Sequence, residues 1–160
     1  MNSHKLTLRP YAAGDAAVLV ELFRDTVRSV NLADYSPEQV RAWAPDEIDT
    51  DAWAGRLAHN KSFVAELGGR IAGFTELTAE GHVHMLYVAK DMQRHGVASA
   101  LLGRAEAEAR ERGLDELTTE ASLTARPVFE KHGYAVVARQ EVDIRGQTLT
   151  NFRMAKPLTR

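Results

Sequence analysis

An α/β fold is the expectation for this chain, and three stretches carry it. His82-Val83-His84-Met85-Leu86-Tyr87-Val88 is rich in Val, Leu and Tyr and alternates like a strand. A short turn then leads into Val97, Ala98, Leu101, Leu102, Ala105 and Ala109, one face of a 3.6-residue period. Upstream, Ser62 to Leu67 and Arg70 to Leu77 flank Gly68-Gly69, the pattern of a hairpin with a two-glycine turn. Strand and helix periods mixed along 160 residues predict a single α/β domain spanning 1–160.

The remaining elements follow in order. Leu6-Thr7-Leu8-Arg9-Pro10 reads as a short first strand, and Gly14-Asp15 offers a helix cap. Val18, Leu19, Leu22, Phe23, Val27 and Val30 then form an apolar stripe on an amphipathic helix. Ser36-Pro37-Glu38-Gln39 starts a second helix, with Ser as N-cap and Pro in the first turn, and Trp43-Ala44-Pro45 ends it. Asp49-Thr50-Asp51 starts a third, carrying Trp53 and Leu57. Thr78 to Gly81 turns the hairpin into the strand at His82. On the following helix Glu106–Arg110 and Glu108–Arg112 at i,i+4 mark a solvated face, and Gly113 stops it. Glu116 to Glu120 is a strand and Ala125 to Tyr134 a short helix ended by Gly133. Val136 to Ile144 and Thr148 to Met154 are two last strands.

Composition excludes several classes. There is no cysteine, so no disulfide, thiol nucleophile or thiolate metal site is available, which fits a cytoplasmic protein. No apolar run approaches the roughly 18 residues of a membrane span. Met1-Asn2-Ser3-His4-Lys5 has no apolar core behind a basic start and is not expected to be a secretory signal. The net charge of −2 shows no basic excess, so nucleic acid is not expected as a partner.

The turn between strand and helix is where chemistry is expected. Gln93-Arg94-His95-Gly96-Val97-Ala98 places a glycine at a helix N-terminus, whose free N–H groups and dipole favour an anion. Arg94 adds a full positive charge. The turn lacks the Gly-Lys-Ser/Thr of a P-loop and has one glycine where the dinucleotide fingerprint needs three. The anion it suits is a pyrophosphate.

This segment resembles the cofactor arm of the GNAT superfamily of N-acetyltransferases, Gln/Arg-x-x-Gly-x-Gly/Ala a few residues after a strand ending in a triplet such as Leu-Tyr-Val. Ala98 stands at the last glycine. Ala-x-x-x-Phe-Glu-Lys-His-Gly-Tyr, from Ala125 to Tyr134, resembles the family's second motif. The resemblance runs from about Leu6 to Leu158. It implies a GNAT-like acyl-CoA N-acyltransferase fold, a twisted mixed sheet of about seven strands with helices on both faces.

It also implies acetyl-CoA as co-substrate and no metal. The backbone of Leu86, Tyr87 and Val88 would then pair with the pantetheine arm. Gln93, Arg94, His95, Gly96, Val97 and Ala98 would hold the pyrophosphate, with Ser122 touching the arm. Tyr35, Trp43 and Trp53 fall where the family covers its acceptor site, although large aromatics also serve simply to close a core. The second motif usually supplies a tyrosine that protonates the leaving thiolate. Phe129 occupies that position here, beside the cofactor.

N-acetylation needs a neutral amine. A lysine-like amine of pKa near ~10.4 is disfavoured in that form by roughly 4.6 kcal/mol at pH 7. A base therefore matters for alkylamines, and His82 and His84, two apart on a strand, are the candidates. His-x-His-x-Leu-x-Val resembles the arylalkylamine N-acetyltransferases, in which a strand histidine pair relays the proton. Two histidines at i,i+2 without a third ligand are a weak metal reading. Glu76 on the preceding strand is the reserve base, against the ordinary reading of a solvated glutamate. The expected acceptor is a small-molecule or peptide amine. An acetyltransferase directed at tRNA or protein, or a non-enzymatic acetyl-CoA sensor, remains open, as does a homodimer.

Overall fold

The computed structural model describes residues 5–158. The start of the chain, expected not to be a secretory signal, falls mostly outside them. The elements run β1 (Leu6–Pro10), α1 (Ala16–Ser29), α2 (Pro37–Trp43), α3 (Thr50–His59), β2 (Lys61–Leu67), β3 (Arg70–Leu77) and β4 (His82–Val88). After the turn come α4 (Val97–Glu111), β5 (Glu116–Ser122), α5 (Arg126–Lys131), β6 (Ala135–Ile144) and β7 (Gln147–Pro157). Seven strands form one sheet in the order β1-β2-β3-β4-β5-β7-β6. Neighbours are antiparallel except β4 and β5, which are parallel, with α4 as their crossover. The α/β sheet of seven strands expected from the sequence is the one observed.

Helices bury apolar stripes on both faces. On one face, Leu19, Phe23 and Val27 of α1 and Trp53 and Leu57 of α3 pack against Val64 and Phe74. On the other, Val97, Leu101 and Leu102 of α4 and Phe129 of α5 close over Ala72, Leu77, Val83 and Leu117. At Gly73 α4 packs directly on the sheet: a Cβ there would meet the Tyr87 carbonyl oxygen at 2.7 Å and Val97 Cγ1 at 3.0 Å. Among the described residues no helix is long and apolar enough to cross a membrane.

Ser36 caps α2 through a full capping box with Gln39, and Asp49 caps α3 by accepting from the Ala52 N–H. Three local expectations are corrected. Asp15 precedes α1 but does not cap it; its carboxylate turns back to the Ala12 N–H and Arg9. Val18 lies off the Leu19–Phe23–Val27 stripe and is exposed. Glu108 forms the expected pair with Arg112, yet it is buried, because Arg104 and Arg112 cover it.

Candidate active site

β4 and β5 pair over only two positions, His82 with Thr118 and Val83 with Thr119, and then part. A cavity of about 130 Å³ opens between them. The Tyr87 carbonyl lies on the β3 side, against Gly73. Alternation therefore turns the backbone of Leu86 and Val88 toward the gap. The Val88 carbonyl is already engaged, accepting from Thr26 Oγ1 at 3.0 Å and Gln93 Nε2 at 2.8 Å. That leaves the Val88 N–H and both Leu86 groups for a ligand laid along the edge. Phe129 and Ala98 line the same gap, and so does Ser122, whose hydroxyl accepts from the Ala125 N–H.

The turn after β4 leaves backbone N–H groups without helical partners. Gly96 sits at φ +79 and Arg94 at φ +66, left-handed conformations that glycine adopts without a Cβ penalty. The first helical bond of α4 runs from the Ala100 N–H to the Gly96 carbonyl, so the N–H groups ahead of it have no helical partner. Val97 is buried, and Arg94 and His95 are exposed at the mouth. The Gln93 side chain is spent on the Val88 and Ala89 carbonyls, so Gln93 shapes the turn through its side chain.

His82 and His84 do reach one cavity, but a uniform pleat is not the reason. Glu76 stands opposite Met85 and Leu77 opposite Val83, which leaves His84 as the extra residue of a β-bulge. Both imidazoles line a cavity of about 530 Å³ walled by α1, α3, β6 and β7. His82 Nδ1 lies 2.8 Å from Thr118 Oγ1. The His84 ring reaches the cavity, yet the surrounding walls desolvate it and push its pKa below the usual imidazole value. Glu76 and Glu120 oppose that shift, while Arg56 and His82 reinforce it.

The large cavity and the gap share Trp43, His84, Tyr87, Glu120 and Ser122. That junction is where a ligand in the gap and a ligand in the cavity would touch. Tyr35, Trp43 and Trp53 all line the large cavity, and they also pack into the core. The Tyr35 hydroxyl donates to the Thr150 carbonyl and accepts from the Leu123 N–H, tying the segment before α2 to β7 and to the end of β5. Burial pushes the Tyr87 phenol up, so it stays protonated. Glu76 is not solvated: it is fully buried and accepts from Arg56 Nε at 2.9 Å and Asn60 Nδ2 at 2.6 Å. It sits behind the cavity and acts on His84 by its charge.

An acetyltransferase (GNAT) domain family model matches residues 31–156. The chain belongs to the GNAT superfamily of N-acetyltransferases. This GNAT chain is 36% identical over 151 residues to YafP of Escherichia coli K12, an uncharacterised N-acetyltransferase, covering 94% of the chain and 95% of that protein. It is 37% identical to a GCN5-related N-acetyltransferase from Rhodopseudomonas palustris, with a TM-score of 0.92 and 99% of both chains covered. YncA of Salmonella typhimurium, a structure with acetyl-CoA, shares the fold at 21% identity and TM-score 0.73, over 98% of this chain and 95% of its own.

Within this GNAT site, sequence reasoning missed Glu120 and the β6–β7 wall of Val142, Ile144 and Asn151. Period two along β5 puts Glu120 on the face of Ser122, a signal that was present in the sequence. The wall had no such signal, because it depends on the long β6–β7 hairpin pairing beside β5 through β7. Among the described residues no group of three or more His, Cys, Asp and Glu is placed to hold a metal ion.

Proposed function

We propose that this chain moves an acetyl group from acetyl-CoA to a primary amine by direct attack, with His84 as general base. The observation that carries the reading is the junction of gap and cavity at His84. Acetyl-CoA supplies the acetyl group as an activated thioester. Leu86 and the Val88 N–H would hold its arm as an added strand, and the amides at Gly96 to Ala98 its pyrophosphate, beside Arg94 and His95. The acceptor amine would lie in the aromatic cavity.

His84 is exposed toward the cavity, and partial desolvation of its ring lowers its pKa, which favours the neutral imidazole that can take the amine's proton. The same imidazolium can then protonate the leaving sulfur. A thiol has a pKa near ~8.5 and an ordinary imidazole ~6.5, so the transfer runs downhill by about 2.7 kcal/mol or more. The Tyr87 phenol, pushed up by burial, is a hydrogen-bond donor but a poor proton donor to that sulfur. His84 therefore answers the absence of a hydroxyl at Phe129.

Calorimetry tests the cofactor assignment. Acetyl-CoA should bind and ATP should bind far more weakly. Gly96→Val, which forces a β-branched side chain into a left-handed turn, should weaken acetyl-CoA by about tenfold, ~1.4 kcal/mol. No acetyl-CoA binding by the wild type would overturn the reading. Phe129 favours one other reading, an acetyl-CoA sensor without turnover; acetylation of any amine removes it.

A further inference from the structure

Glu120 stands where the hollows of the molecule meet. It lines the large cavity, the gap between β4 and β5, and a third hollow over the open faces of β5 and β7 beside His82. No other described residue lines all three. Its carboxylate is exposed, and its one hydrogen bond among the described residues is a long, neutral contact from Gln140 Nε2 at 3.3 Å. Nearby carboxylates are better satisfied: Glu76 has Arg56 and Asn60, Glu141 has Arg139 and Thr150, and Asp143 has Thr148. Arg153 stands opposite Glu120 in the β5–β7 register but forms no ion pair with it among the described residues.

The same cavity carries Glu47 and Asp49 on its rim. Its one arginine, Arg145, donates to the Ala42 carbonyl at 2.6 Å. Three carboxylates, Glu47, Asp49 and Glu120, thus line this cavity against one guanidinium.

We propose that Glu120 holds the ammonium form of the acceptor and makes the site selective for amines that are cationic at neutral pH. This rests on the acetyl-transfer reading above. An alkylamine arrives almost wholly protonated at pH 7. Moving that charge out of water costs free energy, which a carboxylate without a cationic partner offsets. The Trp43 ring, which lines both the cavity and the gap, offers the same charge an aromatic surface. Glu120 also raises the proton affinity of His84. The first ammonium N–H bond breaks toward the His84 imidazole, the electron pair stays on the amine nitrogen, and that proton passes on to solvent. After attack the imidazole takes the second proton from nitrogen and hands it to the leaving sulfur, while Glu120 takes no part in the transfer.

The test compares phenethylamine, cationic at pH 7, with aniline, neutral there, in wild type and in Glu120→Gln. The variant should raise KM for phenethylamine at least tenfold and cut the phenethylamine-to-aniline ratio of kcat/KM by a similar factor. Glu120→Asp should keep most of the preference, and Arg153→Ala, which removes a competing cation, should lower KM for phenethylamine. Acetyl-CoA calorimetry on each variant checks that it is folded. A ratio within twofold of wild type in Glu120→Gln overturns the role of Glu120, as does equal loss in the Gln and Asp variants. A wild type that acetylates no amine at all counts instead against acetyl transfer itself.

Discussion

His84→Ala is expected to lower kcat/KM for an alkylamine by about 10²-fold or more at pH 7, the usual worth of a positioned base. The pH profile should change with it. In the wild type the acid limb should fall below the ordinary imidazole value of 6.5, because desolvation holds His84 neutral. In the variant that limb should disappear, and the rate should keep climbing toward the pKa of the amine. His82→Ala should move the wild-type limb slightly upward, since the His82 charge lowers the proton affinity of His84. Stability provides an independent check. Below about pH 6.5 the unfolded chain binds the proton that folded His84 resists. Unfolding free energy is therefore lost as pH falls through that range, and His84→Ala should flatten the slope. Unchanged rates and an unchanged limb in His84→Ala would remove it from the mechanism.

Arg56→Ala should be the most destabilising single change at the site. Glu76 is fully buried, and Arg56 is its cationic partner. Removing one member of a buried pair costs about 3–5 kcal/mol, because the other charge is left without compensation. That is a large share of the roughly 5–15 kcal/mol that holds a domain folded. Asn60 would retain its hydrogen bond to Glu76, but a neutral donor does not balance the charge. Trp53 would also lose the guanidinium lying 4.9 Å from its ring centre. Denaturant titration reads the effect directly. A double variant with apolar residues at both Arg56 and Glu76 should be more stable than Arg56→Ala. A loss under about 1 kcal/mol in Arg56→Ala would mean that Glu76 is not held as a buried charge.

What the sequence made legible was mostly local. His82 to Glu111 is one contiguous strand, turn and helix, so its periods and its glycine could be read directly. Ser36, Pro37 and Gln39 likewise carry their capping box within four residues. The rest depends on partners far apart in the chain. Glu76 looked solvated because Arg56 of α3 and Asn60 just after it reach it from a distant part of the chain. The bulge at His84 follows from the β3 register, so the two histidines share a cavity for a reason that alternation alone does not supply. Glu120 was overlooked because its importance comes from three hollows that exist only after β4, β5 and β7 are side by side.

The short pairing of β4 with β5 has a mechanical consequence. The sheet is two half-sheets, β1 to β4 and β5 with β7 and β6, joined edge to edge by two residue pairs and a few threonine contacts such as Thr119 Oγ1 to the Val83 carbonyl. A seam of this kind is where partial opening should begin, with amide hydrogens on either side exchanging together. A ligand that adds a strand along the seam would stitch the halves into one cooperative unit. At a hundredfold excess over Kd it would add about 2.7 kcal/mol to unfolding. The gap between β4 and β5 thus lies along the weakest seam of the sheet, and occupancy and rigidity should rise together.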